Sequence, residues 1–85
     1  MNYRVVWLRR AAAQLMALWL RAANKEAVAG YAEQIDRILG RNPLDQGESR
    51  LGTVRLWFHR PISVLFRVDE SAMRVTVMAI RWVGR

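Results

Sequence analysis

Apolar side chains change their spacing along this chain, and each change marks an element. Residues Tyr3 to Trp7 (YRVVW) are mostly aromatic and β-branched, which suits a short strand. From about Arg9 the period becomes helical: Ala12, Leu15, Leu18, Trp19 and Ala22 fall on one face, and Arg10, Gln14 and Arg21 lie off it. Asn24 is placed to cap a second helix by accepting backbone N–H bonds. In that helix Val28, Tyr31, Ile35, Ile38 and Leu39 recur on one side, Glu33, Asp36 and Arg37 fall largely outside the stripe, and Gly40 supplies the stop. A helical hairpin joined at Ala23 and Asn24 is expected.

The stretch Arg41 to Gly52, RNPLDQGESRLG, is dense in turn formers and predicts one long loop. Period two then returns. Val54, Leu56 and Phe58 alternate with Arg55, Trp57 and His59; Ile62, Val64, Phe66 and Val68 alternate with Ser63, Leu65 and Arg67. Arg60 and Pro61 make the turn between these strands, and Asp69 to Met73 connects to a third, Arg74 to Trp82. In that last strand Val75, Val77 and Ala79 alternate with Thr76, Met78 and Ile80 at similar hydrophobicity, so the pattern does not say which face is buried. The order β-α-α-β-β-β predicts one α+β domain over residues 1–85, with the hairpin packed on a small, mainly antiparallel sheet. Parity assigns Val54, Leu56, Phe58, Ile62, Val64, Phe66 and Val68 to the covered face. Arg55, Trp57, His59, Leu65 and Arg67 then form the opposite face, the candidate functional surface.

Composition adds a partner. Fourteen basic residues against seven acidic give a net charge of +7, which points to a polyanion or an acidic protein. All the basic residues but Lys25 are arginine. That bias suits bidentate phosphate contact, and a coding bias toward arginine explains it equally well. The chain has no cysteine, which excludes disulfides, thiolate metal sites and a thiol nucleophile. No run approaches the roughly 18 apolar residues of a membrane span, and a soluble, cytoplasmic protein is expected. With no glycine-rich phosphate loop and no metal-ligand spacing, neither a cofactor nor a metal is expected.

The opening YRVVWL, the stretch GESRLGTVRLWFHRP and the following ISVLFRVDESAMRVTVMAI, in this order of elements, resemble the RelE/ParE superfamily of type II toxins over nearly the whole chain. The resemblance implies a small basic toxin that arrests growth and is neutralised by a cognate antitoxin. It also implies one of two targets: the ribosome and its mRNA, cleaved by RelE-like members, or DNA gyrase, blocked by ParE-like members without chemistry. A family member that has lost toxicity and persists as a binding module is the third reading.

RelE-like cleavage needs a group to activate a ribose hydroxyl, cations for the transition-state charge and an acid for the leaving oxygen. By position, the family's strand-borne basic pair falls at Arg55 and Trp57, of which Arg55 matches, and its next basic position falls at Ser63. Its late arginine is answered by Arg81 or Arg85. The family's catalytic tyrosine segment has no counterpart through Arg85, a departure that favours the ParE-like reading. His59 has two readings, a general acid or base with an unperturbed pKa near 6.5 or a plain strand-end residue. The candidate catalytic set is thus Arg55, His59 and Arg81, with Arg50, Arg67 and Arg85 as contacts to RNA or another target. Trp57 and Leu65 are the expected antitoxin contacts, aromatic side chains being common interface anchors. Trp7 and Trp19, on apolar faces, are read as core.

Overall fold

The computed structural model describes residues 2–84. Strand β1 (Arg4–Trp7) leads into helices α1 (Arg9–Arg21) and α2 (Lys25–Arg41), followed by a 3-10 turn (Pro43–Asp45) and strands β2 (Glu48–Leu51), β3 (Val54–His59), β4 (Ile62–Asp69) and β5 (Arg74–Trp82). The sheet order is β1-β5-β4-β3-β2. Only the β1–β5 pair is parallel, and the other neighbours are antiparallel hairpins. The α+β architecture is the expected one, with one strand more.

That strand is β2. It lies in the stretch read as loop, where Gly47 and Gly52 adopt positive φ (65° and 58°) and bound four exposed residues paired to β3. Turn formers at both ends hid a strand too short to show a period of two. Gly40 also departs from expectation: α2 continues to Arg41, and the Gly40 carbonyl accepts a bond from the Tyr3 amide at 2.6 Å, tying β1 to the helix. At the other end Asn24 caps α2 as expected, its Oδ1 accepting from the Ala27 amide at 3.1 Å.

Both helices lie on one side of the sheet. Ala11, Ile35 and Leu39 meet Trp57, Ile62, Val64, Phe66, Val68, Val75, Val77 and Ile80 in a single buried cluster. Phe66 is fully enclosed, and such burial contributes about 1.5–3 kcal/mol. Two features of register decide which residues join this core. His59 pairs with Ile62 across the two-residue turn, so Trp57 faces with Val64 and Arg55 with Phe66. The expected face of β3 is therefore inverted, because residues of opposite parity share a face across a two-residue hairpin. In β5 a bulge at Met78 shifts the pairing from Phe66↔Val77 to Leu65↔Ala79. Val75 and Val77 point at the helices before it and Ile80 after it. This change of parity is why both faces of that strand read as apolar.

Beyond Val77, β5 has no strand on its β1 side, and α1 supplies the missing partners. The Ile80 amide donates to Gln14 Oε1 at 2.7 Å, and the Arg10 guanidinium donates to the Met78 carbonyl at 3.4 Å.

Candidate functional site

The sheet face turned away from the helices is bare. Reading the register across it gives four rows: Phe58, Ser63 and Arg81; Leu56, Leu65 and Ala79; Val54, Arg67, Thr76 and Val6; Asp69, Arg74 and Arg4. Arginines stand at both ends of a mainly apolar centre. Arg4, Arg67, Arg74 and Arg81 are all exposed, and Phe58 is 51% exposed. Ser63 and Thr76 are buried between these larger neighbours although no helix covers them. Among the described residues the guanidinium groups of Arg4, Arg67 and Arg81 have neither a hydrogen bond nor an ion pair. Asp69 accepts from the Ala72 amide and from Ser71 Oγ, and these bonds, with the nearby Arg74 charge, hold its carboxyl below the usual range.

The residues singled out in the sequence divide between the two faces. Arg67 and Arg81 stand on the bare face, as does the half-buried Leu65. Arg55 and His59 do not. The Arg55 guanidinium donates to the Gln46 and Gly47 carbonyls at 2.9 and 3.1 Å, fastening the segment before β2 to β3. His59 lies on the helix side, where its Nε2 is 2.8 Å from Gln34 Oε1 of α2 and its ring stacks on Trp57 with centroids 4.7 Å apart. Burial lowers the His59 pKa from its usual 6.5. Trp57, expected at the surface as an antitoxin contact, is 8% exposed and belongs to the core. Arg50 is exposed on β2, at the irregularity between Ser49 and Leu51. Arg85 lies outside the described residues. Arg4, Arg74 and Phe58 went unnoticed as surface groups, and the length of the Arg60-Pro61 turn was the signal that would have revealed Phe58.

A second surface runs along the outside of the helical hairpin. Trp7, Ala12, Leu15, Met16, Trp19, Val28, Ala29 and Ala32 line an apolar groove of about 450 Å³. Met16 and Leu20 are 56% and 64% exposed beside it. Trp7 is half-buried against the core with its indole N–H on Asp36, whereas Trp19 forms a groove wall. Lys25 fixes that wall, its ammonium lying 5.1 Å from the Trp19 ring centroid and donating to the Trp19, Leu20 and Ala22 carbonyls. Among the described residues no acidic, histidine or cysteine cluster is arranged to hold a metal, and no helix is long and apolar enough to cross a membrane.

No protein-family model matches the sequence, and no curated protein is significantly similar to it. Solved structures are. A chain of the RelBE2 toxin–antitoxin complex from Mycobacterium tuberculosis superposes with a TM-score of 0.81 at 19% identity, over 96% of this chain and 92% of that one. A chain of the chromosomal ParDE system from P. aeruginosa gives 0.75 at 26% identity, over 98% of both. The isolated E. coli RelE toxin gives 0.65 at 12%, over 98% of this chain and 86% of that one. A helical hairpin on one face of this sheet, with the other face bare, defines a RelE/ParE-type α+β protein. The fold is the one these toxin–antitoxin structures share, as the sequence implied, and the 26% identity to the ParDE chain supports a RelE/ParE superfamily toxin.

Proposed function

We propose that this chain is the toxin of a type II toxin–antitoxin pair and that it arrests growth by binding its target through the bare sheet face, in the ParE-like manner, with DNA gyrase as the target. The observation that carries the binding reading is the placement of Arg55 and His59. The chain's one histidine and the best-matching family arginine are engaged by Gln34, Gln46 and Gly47 within the fold. The bare face keeps cations and an exposed aromatic ring, which bind, and lacks the imidazole that would move a proton. A RelE-like mRNA cleavage is the second reading, favoured by Arg81, which has no partner among the described residues and stands beside Ser63 on that face.

The cognate antitoxin is proposed to cover the hairpin groove. A helix with one apolar face fits a groove between two helices, and an acidic residue on its flank would meet Arg9 of α1. The deciding experiment is brief induction of the chain in a bacterial host, with gyrase supercoiling and new RNA 5′ ends followed together. Arrest with inhibited supercoiling and no new ends is the expected result. New ends inside translated codons that disappear in Arg81→Ala would replace it with the nuclease reading, and normal growth would leave a binding module without toxicity.

A further inference from the structure

Helix α1 departs from the usual pattern of a helix on a protein surface. Its inner side packs on the core through Ala11, Leu15 and Leu18, so its solvent side should be polar. Instead Ala12, Ala13, Met16, Ala17 and Leu20 are exposed there, Met16 and Leu20 each by more than half. At about 100° per residue these positions sweep roughly 140° of the helix surface. The groove between the helices lies to one side of this strip and shares only Ala12 and Met16 with it. Charge is confined to the ends: Arg9 and Arg10 in the first turn, Arg21 in the last, and no acidic residue anywhere in the helix. Gln14 is turned inward to the Ile80 amide. Arg9 and Arg21 have neither a hydrogen bond nor an ion pair among the described residues.

Three kinds of occupant suit an apolar helix face, and shape and charge separate them. A second copy of α1 would set arginine against arginine whether it packed parallel or antiparallel, with no acid on either helix to offset the repulsion. A single partner helix covers a narrow seam, whereas this face is broad and convex. A plane of negative charge meets the whole sweep: the apolar centre reaches the acyl boundary, and the long arginine stems leave their guanidinium groups among the headgroups. We infer that the outer face of α1 binds an anionic lipid surface, with Met16 and Leu20 as inserted anchors and Arg9 and Arg21 as headgroup contacts. Thirteen residues make a helix about 20 Å long, which lies in the interface and does not cross the bilayer. The net charge of +7 adds a long-range attraction to the same surface. Because both helices lie on one side of the sheet, a chain docked in this way keeps its bare face turned away from the bilayer.

The test is flotation of the whole chain with vesicles at physiological salt, comparing phosphatidylcholine mixed with phosphatidylglycerol against phosphatidylcholine alone. Binding to the anionic vesicles only is expected. Arg9→Ala/Arg21→Ala should weaken it about 25-fold, at about fivefold for each arginine near an anionic surface. Met16→Ser/Leu20→Ser leaves the charge unchanged and should weaken it by about tenfold or more. Arg67→Ala/Arg74→Ala removes the same charge from the far side of the sheet and should weaken it by no more than about twofold. Every substituted residue is exposed, and circular dichroism checks that each variant folds. A fluorophore on Ala17→Cys, in a chain with no other thiol, should shift to the blue on the anionic vesicles. Absence of flotation, or flotation that the bare-face variant loses as readily as the α1 variants, overturns the inference. So does a dimer in sedimentation that Met16→Ser/Leu20→Ser dissolves, which assigns the face to a second copy. Tight binding of a leucine-faced, glutamate-flanked helical peptide without any vesicle binding overturns it in favour of a protein helix. None of these outcomes bears on the toxin reading, which the growth experiment decides.

Discussion

Phe66 and Arg67 are consecutive residues of β4, one fully enclosed under the helices and the other free in solvent. The same contrast runs across the sheet: the covered face uses Arg55 and His59 as structural fasteners, and the bare face leaves Arg4, Arg67 and Arg81 without partners among the described residues. Residue type therefore says little about which arginine meets a target. The face of the sheet says more, because a guanidinium already donating to backbone carbonyls must give up those bonds before it can hold a phosphate.

The comparison breaks most visibly in the core. Phe66→Ala should cost about 3–5 kcal/mol by chemical denaturation, whereas Leu65→Ala, one residue away on the bare face, should cost about 1 kcal/mol or less. Equal costs would mean that the bare face is not bare. Arg55→Ala should destabilise the chain by about 1–2 kcal/mol, since two carbonyls lose a charged donor, and should leave target binding intact. Arg67→Ala should do the reverse, with stability within about 0.5 kcal/mol of the parent and weakened binding. A smaller effect comes from His59. Its pKa is lower in the folded chain than the unfolded value of 6.5, so the unfolded state binds the proton more readily. The His59 contribution is complete above about pH 6.5 and is lost as pH falls toward the lower folded value. Melting temperatures measured down that range should decline, and His59→Gln should flatten the decline. Protection of Asp69 is lost at lower pH, below its usual 3.8, which separates the two windows.

The element order apart from β2, the buried stripe of α2 and the Asn24 cap were legible in the sequence because each follows from local periodicity or capping. The site was half legible. Parity along β4 placed Arg67 and Leu65 correctly, and parity along β3 misplaced Arg55, Trp57 and His59. Apolar Val54, Leu56 and Phe58 looked like core, yet register across the two-residue turn overrides the hydrophobic pattern of a strand that close to the sheet edge. The bulge at Met78 has no local signature and becomes visible only when β4 and β5 are paired. Arg4 and Arg74 lie 70 positions apart in the chain and meet only through the parallel β1–β5 pair, a contact no short motif encodes.

That same pair governs when the protein comes into being during synthesis. The first strand finds its neighbour in the last, and the edge of β5 takes its remaining bonds from Gln14 and Arg10. The hairpin and the first strand therefore leave the ribosome without a sheet to join, and the core closes only after residues 74–82 have been translated. A chain interrupted anywhere before β5 lacks the strand that joins β1 to the rest of the sheet, so a prematurely terminated product cannot close this core.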